Sequence, residues 1–115
     1  MRKELKDRLR NYYPDIDAYV SLIRQCETAL KKLNLSALLT DEAFWNHFLA
    51  FTQRMKEGHQ NDMEFTDDPV ITSDDHNKVE EFLRNLDDLN PEQITAFEKY
   101  LFAIYIHKSL ERRTQ

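Results

Sequence analysis

The fold of this chain follows from residues 38–58, which read LLTDEAFWNHFLAFTQRMKEG. Thr40 is a good helix N-cap, and Asp41 and Glu42 place acidic charge in the first turn, where it complements the helix dipole. Gly58, the only glycine of the chain, stands where a left-handed residue ends a helix. The stretch therefore predicts one helix from Thr40 to Gly58, with a start signal and a stop signal.

Two segments before this stretch also have helical patterns. Residues 3–12 are charged and helix-prone. Pro14 interrupts the chain after them and can occupy the first position of the next helix, where its missing N–H costs little. The apolar residues between Asp15 and Leu33 then follow helical spacing, which predicts a second helix over that range.

The second half of the chain predicts a loop and two helices. Residues 59–72 are acidic, polar and interrupted by a proline, which is typical of a long surface loop. Ser73 is the predicted N-cap of the next helix, and Asn90 that of the last helix, with Pro91 at its first position. One face of the last helix carries Ile94, Phe97, Leu101, Ile104, Tyr105 and Lys108, and its other faces carry Tyr100, Phe102 and Ile106. A helix that is apolar on most sides is expected to be central and heavily covered.

The composition agrees with a helical protein. The 115 residues are enough for one domain, and 41% hydrophobic and 32% charged residues are typical of a globular chain. One glycine and three prolines are too few for the many turns of a β-rich fold. We therefore predict an all-α fold, a compact bundle of four to five helices that forms a single domain over residues 1–115.

Charge and hydropathy exclude several classes of function. The net charge of −5 is spread over mixed acidic and basic residues, so nothing favours direct binding of nucleic acid. No apolar run approaches the roughly 18 residues of a membrane span, and the N-terminus lacks a signal-peptide core. We expect a cytoplasmic protein without membrane contact. Cys26 is the only cysteine, which excludes an internal disulfide and metal sites built from Cys/His pairs, and we expect no metal or cofactor.

Catalytic motifs are missing from the sequence. There is no G-x-S-x-G, no P-loop, no H-E-x-x-H and no calcium-binding loop. The pairs of neighbouring acidic residues fall at loops or helix starts, where capping and solubility explain them. We therefore expect that the protein is not an enzyme.

His47 differs from the other three histidines because aromatic residues share its helical face. Phe44, Phe48 and Phe51 stand three residues before it, one after it and four after it. Its ring is therefore expected to be partly covered.

Two interpretations of His47 follow from this placement. In the first, it is a histidine at the edge of the core whose ring N–H bonds to a carbonyl group, to Tyr100 or to Tyr105. In the second, it is a nucleophilic nitrogen that accepts a phosphoryl group. Arg54 lies two helical turns further along nearly the same face and would then offset the added charge.

The residues Leu39-Thr40-Asp41, His47, Arg54 and Gly58 have a spacing that resembles the signature of the PTS regulation domain, or PRD. The resemblance covers roughly residues 16–110. PRDs are five-helix bundles of bacterial antiterminators and transcriptional activators. The resemblance implies that His47 is phosphorylated by the phosphocarrier protein HPr or by a sugar-specific component of the phosphotransferase system. It also implies a homodimer whose packing changes on phosphorylation.

The family also carries a second histidine near the middle of its last helix. Counting from His47 places His107 close to that position, whereas counting from Glu98 places Tyr105 there. The two positions differ by about 200° of rotation on a helix, so they cannot both face His47. His107 is therefore a second candidate phosphorylation site, and Tyr105 and Arg54 are candidate supporting residues.

The leading hypothesis is a stand-alone PRD-like regulatory module of a bacterial sugar phosphotransferase and transcription control circuit. Such a module would act through protein contacts, with a separate transcription regulator as one partner. The alternative is a helical interaction module with the same fold, no phosphorylation and no catalytic activity.

Overall fold

Five α-helices dominate the computed structural model, which describes residues 1–87 and 89–114, with side chains as far as residue 111. The helices are α1 (Lys3–Arg10), α2 (Val20–Lys32), α3 (Glu42–Glu57), α4 (Ser73–Arg84) and α5 (Ala96–Thr114). Three short 3₁₀ turns occupy Ile16–Tyr19, Ser36–Thr40 and Pro91–Gln93. No strand occurs among the described residues, and the radius of gyration of 13.7 Å is close to the roughly 13 Å of a compact domain this long. The predicted all-α bundle is confirmed.

The helix predicted over residues 15–33 is divided in the structure. Its first turn is the 3₁₀ segment Ile16–Tyr19, and regular α2 begins only at Val20. Pro14 therefore precedes the 3₁₀ turn. The prediction that Pro14 occupies the first position of the helix was wrong. At the other end, Asn34 adopts a positive φ of 60°, and the Leu35 N–H donates to the Leu30 carbonyl at 2.8 Å, which closes the helix.

Helix α3 begins one residue later than the sequence predicted. Asp41 is the N-cap, because its Oδ1 accepts a hydrogen bond from the Phe44 N–H at 3.1 Å. The prediction of Thr40 was wrong because Thr40 is the last residue of the preceding 3₁₀ turn. The end of the helix is as predicted: Gly58 has a φ of 73°, which a residue without Cβ adopts readily.

Helix α4 is capped by Thr72, and the prediction of Ser73 was wrong by one residue. The Thr72 hydroxyl accepts from the Asp75 N–H, and the Asp75 carboxylate accepts from the Thr72 N–H at 2.8 Å. This reciprocal capping box satisfies two N–H groups that the helix itself leaves without partners. It positions the Asp75 side chain, which is buried.

Helix α5 begins later than predicted. Asn90 accepts from the Glu92 N–H, but the turn that it caps is the 3₁₀ segment Pro91–Gln93 and not the last helix. Helix α5 starts at Ala96, and the Thr95 hydroxyl accepts from the Glu98 N–H at 3.2 Å. Thr95 is therefore the residue that caps α5.

An aromatic core joins the last three helices. The fully buried aromatic side chains are Phe44, Trp45, Phe48 and Phe51 of α3, Phe82 of α4 and Phe102 of α5. Phe102 contacts the ring of Phe51 with centroids 5.0 Å apart and that of Phe82 with centroids 5.6 Å apart. Rings in such arrangements contribute beyond their buried area. This cluster fixes how α3 and α5 face each other.

The row of residues from Ile94 to Lys108 is not the most buried side of α5. Ile94, which precedes the helix, is buried, but Phe97, Leu101, Ile104 and Tyr105 are only partly buried and Lys108 is exposed. The residues that α5 buries are instead Glu98, Phe102, Ala103, Ile106 and Ser109. A helix that is apolar on most sides has a weak periodic signal, so the sequence could not identify its inner face.

No described helix is long and apolar enough to cross a membrane.

Candidate functional site around His47

His47 lies on α3 where that helix meets α5. Its ring contacts the edge of Phe102, with centroids 4.6 Å apart. On another side it stacks on Tyr105 at 5.4 Å, with an interplanar angle of 20°. The side chain is half-buried, and its Nε2 atom is shielded from solvent without a hydrogen-bond partner.

These contacts correct one part of the sequence interpretation. Nε2 of His47 has no hydrogen-bond partner, so the expected bond to a carbonyl group, Tyr100 or Tyr105 is not made at this nitrogen. Tyr105 touches His47 through its ring, and the Tyr100 hydroxyl instead accepts from the Asp68 N–H at 3.3 Å. A buried polar atom without a partner is uncommon in a native fold and marks the position as unusual.

Burial keeps the His47 imidazole uncharged. The pKa of His47 is lowered to about 4, first by desolvation and then by the positive charge of Arg54, while the charge of Glu98 opposes the shift. Near neutral pH the ring therefore carries one proton and one nitrogen lone pair. A neutral imidazole of this kind can act as a nucleophile or a base.

Arg54 is held by an acidic partner that the sequence interpretation missed. Its Nε and Nη2 atoms donate to the two carboxylate oxygens of Glu98, each at 2.8 Å. Glu98 is fully buried, and Arg54 retains 23% of its side-chain exposure. Because charge-assisted bonds of this two-pronged geometry are strong, Glu98 fixes the position of the guanidinium. The charge of Arg54 therefore acts on the pKa of His47, but the guanidinium is already paired with Glu98.

A sequence signal for Glu98 did exist. Thr95 and Glu98 form the Thr-x-x-Glu pattern of a capping box at the start of α5. Only half of that box is made, because the Glu98 carboxylate turns to Arg54. Assigning the helix start to Asn90 hid this pattern.

Glu98 and its cap also hold the start of the loop between α3 and α4. The Asn61 N–H donates to Glu98 Oε2 at 3.3 Å, and the Thr95 hydroxyl donates to the Asn61 carbonyl at 2.5 Å. Gln60 accepts from the Thr95 N–H at 2.9 Å and donates to the Gln93 carbonyl at 2.8 Å. The ion pair beside His47 is therefore connected to this loop by hydrogen bonds.

His107 belongs to a different cluster. Its Nδ1 lies 3.0 Å from Oδ2 of Asp75, and its Nε2 lies 3.3 Å from Oε1 of Glu111. The bond to Asp75 is the main cause that raises the pKa of His107. The structure therefore brings His47, Arg54 and Tyr105 together and places His107 against α4.

The described residues supply no evident ligand site at these histidines. No group of three or more His, Cys, Asp or Glu side chains among them is arranged to hold a metal ion. One surface groove of about 430 Å³ lies between α2 and the residues after α4, and another of about 370 Å³ is lined by Tyr19, Leu22 and Met55 among others. Neither groove includes His47 or His107.

The chain matches no protein-family model, no curated protein and no solved structure. The resemblance to the PTS regulation domain therefore rests on the motif around His47 itself.

Proposed function

We propose that this chain is a PRD-like regulatory module that acts through protein–protein contacts and carries a phosphorylatable histidine at position 47. The observation that supports this most is the uncharged His47 imidazole, whose pKa is lowered by burial and by the positive charge of Arg54 on the same helix. A phosphoryl acceptor needs a nitrogen lone pair, and its product needs a nearby cation. Both are present where α3 meets α5.

In the proposed reaction, the unprotonated nitrogen of His47 attacks the phosphorus of a phosphohistidine on HPr or on a sugar-specific phosphotransferase component. A P–N bond forms to His47 as the P–N bond of the donor breaks, and the donor imidazole leaves with the electron pair. The new group adds about −1.5 to −2 charges. Arg54 is then attracted to two anions, the phosphoryl group and Glu98.

Competition for Arg54 is the proposed link to regulation. Any weakening of the Arg54–Glu98 pair loosens the contact between α3 and α5, and also the hold of Glu98 on the Asn61 N–H. A homodimer or a separate transcription regulator that reads this surface would respond to the change. Direct nucleic-acid binding, membrane contact and catalytic turnover form no part of this proposal, and a cytoplasmic location follows from the proposed partners.

His107 is the second candidate acceptor, and we expect it to be the poorer one. Its contact with Asp75 raises the pKa of His107, which favours the protonated ring, and a protonated imidazole has no lone pair for attack.

A labelling experiment distinguishes His47 from His107 as the phosphoryl acceptor. The protein is incubated with phosphoenolpyruvate, enzyme I and HPr, and acid-labile phosphate is measured on wild type, His47→Ala and His107→Ala. We expect label on wild type and His107→Ala and none on His47→Ala.

Two results would contradict the proposed acceptor. The first is a wild-type protein without label, and the second is equal label on wild type and His47→Ala. Circular dichroism of each variant establishes that a lost signal does not come from unfolding.

The alternative function is an interaction module of the same fold without phosphorylation. The shielding of Nε2 of His47 and the engagement of Arg54 by Glu98 favour it, because a phosphocarrier would need α3 and α5 to separate locally. In this case His47→Gln leaves the oligomeric state and partner binding unchanged, whereas Phe48→Asp or Phe102→Asp unfolds the bundle. Light scattering and circular dichroism measure the oligomeric state and the fold.

A further inference from the structure

The connection between α3 and α4 has an unusual surface. Residues 58–72 contain no helix or strand, and loops of this length inside a compact domain usually serve a function. We call its central part, residues 62–70, the acidic strap; it reads DMEFTDDPV.

The acidic strap exposes large apolar side chains. Met63 is 63% exposed, Phe65 36% and Val70 55%, and these are three of the five large hydrophobic residues that the described chain exposes. Exposed apolar residues scattered singly need no explanation, but a cluster on one segment marks a contact surface. Such residues serve as anchors that a partner can bury.

Aromatic contacts hold the central anchor in place. The Phe65 ring stacks on Tyr100 with centroids 4.6 Å apart and meets the ring of Phe97 at 5.8 Å. Phe97 and Tyr100 lie on the partly buried side of α5, so the three rings form one accessible aromatic patch. Phe65 lies outside the hydrophobic core, so the fold does not depend on it.

Hydrogen bonds tie the acidic strap down at both ends. On its N-terminal side the Asn61 N–H donates to Glu98, and near its C-terminal end the Asp68 N–H donates to the Tyr100 hydroxyl. The Val70 N–H then donates to Oδ1 of Asp68 at 3.0 Å, which shapes the turn before α4. A segment already held in this way loses less conformational entropy when a partner binds it.

Charge identifies the kind of partner. The acidic strap contains Asp62, Glu64, Asp67 and Asp68 and no basic residue. The basic side chain that lies against Asp67 is His76, whose Nε2 atom is 3.7 Å from the Asp67 carboxylate. A complementary surface must therefore combine apolar contacts with lysine or arginine side chains at its rim.

We propose that the acidic strap and the aromatic patch beneath it form a docking surface for a protein segment with an apolar face bordered by lysine or arginine side chains. The apolar anchors supply the buried contact, and the acidic residues select a basic partner and orient it. The residues of this surface do not include His47 or Arg54, so the proposal does not rest on the function proposed above.

The test uses the full chain and a synthetic amphipathic peptide of leucine and lysine as a model of such a partner. A peptide with glutamate in place of lysine is the control ligand. Binding is measured by titration calorimetry and mapped by NMR shift changes. Phe65→Ser removes the central anchor, and Asp62→Asn/Glu64→Gln/Asp67→Asn removes charge while keeping Asp68 for the turn. The matched control, Glu57→Gln/Glu81→Gln/Asp87→Asn, removes the same charge from exposed positions elsewhere.

We expect the lysine peptide to bind wild type and the matched control alike, with shifts centred on residues 62–70. Phe65→Ser and the triple strap variant should each weaken binding about tenfold or more. Four results would overturn the proposal: no binding of the lysine peptide, equal binding of the glutamate peptide, equal weakening by both triple variants, or unchanged binding by Phe65→Ser. A wild-type dimer that Phe65→Ser dissociates would also overturn it, because the occupant would then be a second copy of the chain.

Discussion

The rings of His47 and Tyr105 lie nearly parallel, with centroids 5.4 Å apart. They come from α3 and α5, so this contact forms part of the junction between the two helices. Burial is also the main cause that raises the pKa of Tyr105, which keeps its hydroxyl protonated. Of the two positions that the sequence left open in the last helix, Tyr105 is therefore the one beside His47, and His107 is not.

The stability of the protein should fall in mildly acidic solution because of His47. Its pKa is about 4 in the folded chain and 6.5 in the reference state. Between these values the unfolded chain binds a proton that the folded chain does not, so stability decreases as the pH falls. The loss attributable to His47 is about 2 kcal/mol at about pH 5.

Urea unfolding of wild type and His47→Phe, measured from about pH 7 to about pH 4, checks this expectation. The variant keeps a ring between Phe102 and Tyr105 but cannot titrate. It should therefore lose less stability than wild type across this range. Parallel curves for the two proteins would contradict the burial of a neutral His47.

His107 should show the opposite pH dependence. Asp75 raises the pKa of His107, so its contribution to stability is fully present below about pH 6.5 and is lost as the pH rises through the raised value. NMR titration of the imidazole protons should give a midpoint above that of an ordinary histidine. Asp75→Asn should lower this midpoint, and a wild-type midpoint below 6.5 would refute the assignment.

The two partners of the buried ion pair should respond unequally to substitution. Arg54→Met leaves the fully buried Glu98 carboxylate without its cation, which should destabilise the chain by about 3–5 kcal/mol. Glu98→Gln should destabilise it less, because Arg54 retains contact with solvent. The double variant Arg54→Met/Glu98→Leu should recover part of the loss, since no buried charge remains.

Chemical unfolding measures the free energy of unfolding of these three variants and so compares their losses. Arg10→Met, which breaks an exposed pair with Asp17, is the control and should change the unfolding free energy little. An Arg54→Met variant no less stable than this control would show that the buried pair does not hold α3 and α5 together.

The inner face of α5 can be tested with two identical substitutions. Phe102→Ala removes a fully buried ring from the aromatic core and should lower the free energy of unfolding by about 3–5 kcal/mol. Phe97→Ala, five residues earlier, removes a partly exposed ring and should lower the free energy of unfolding by less. Equal losses in denaturant unfolding would contradict this assignment of the inner face.

The capping residue of α4 is open to a similar comparison. Thr72→Ala removes the hydroxyl that accepts from the Asp75 N–H and should destabilise the protein by about 1 kcal/mol. Ser73→Ala should have little effect, because Ser73 is already the first helical residue. Thermal or urea unfolding that gives Ser73→Ala the larger loss would reverse the assignment.

Local sequence determined the helical fold and the approximate extent of its helices, but not the residues at which most of them begin. The helix ending at Gly58, the long loop after it and the all-α class follow from neighbouring residues: periodic apolar positions, acidic first turns and a glycine that tolerates positive φ. Signals of this kind are carried within a few residues, so they are readable without knowing what packs against them. The rings that contact His47 were not predictable from its own helix, because Phe102 and Tyr105 both belong to α5.

Tertiary structure alone decided the rest. The inner face of α5 depended on its packing against α3 and α4. The apolar residues of this helix occur on most of its sides, so their spacing does not identify one buried face. The partner of Arg54 is Glu98, 44 residues away on another helix. A contact of that separation exists only once the helices pack, which is why the sequence located His47 and Arg54 but not the carboxylate that joins them.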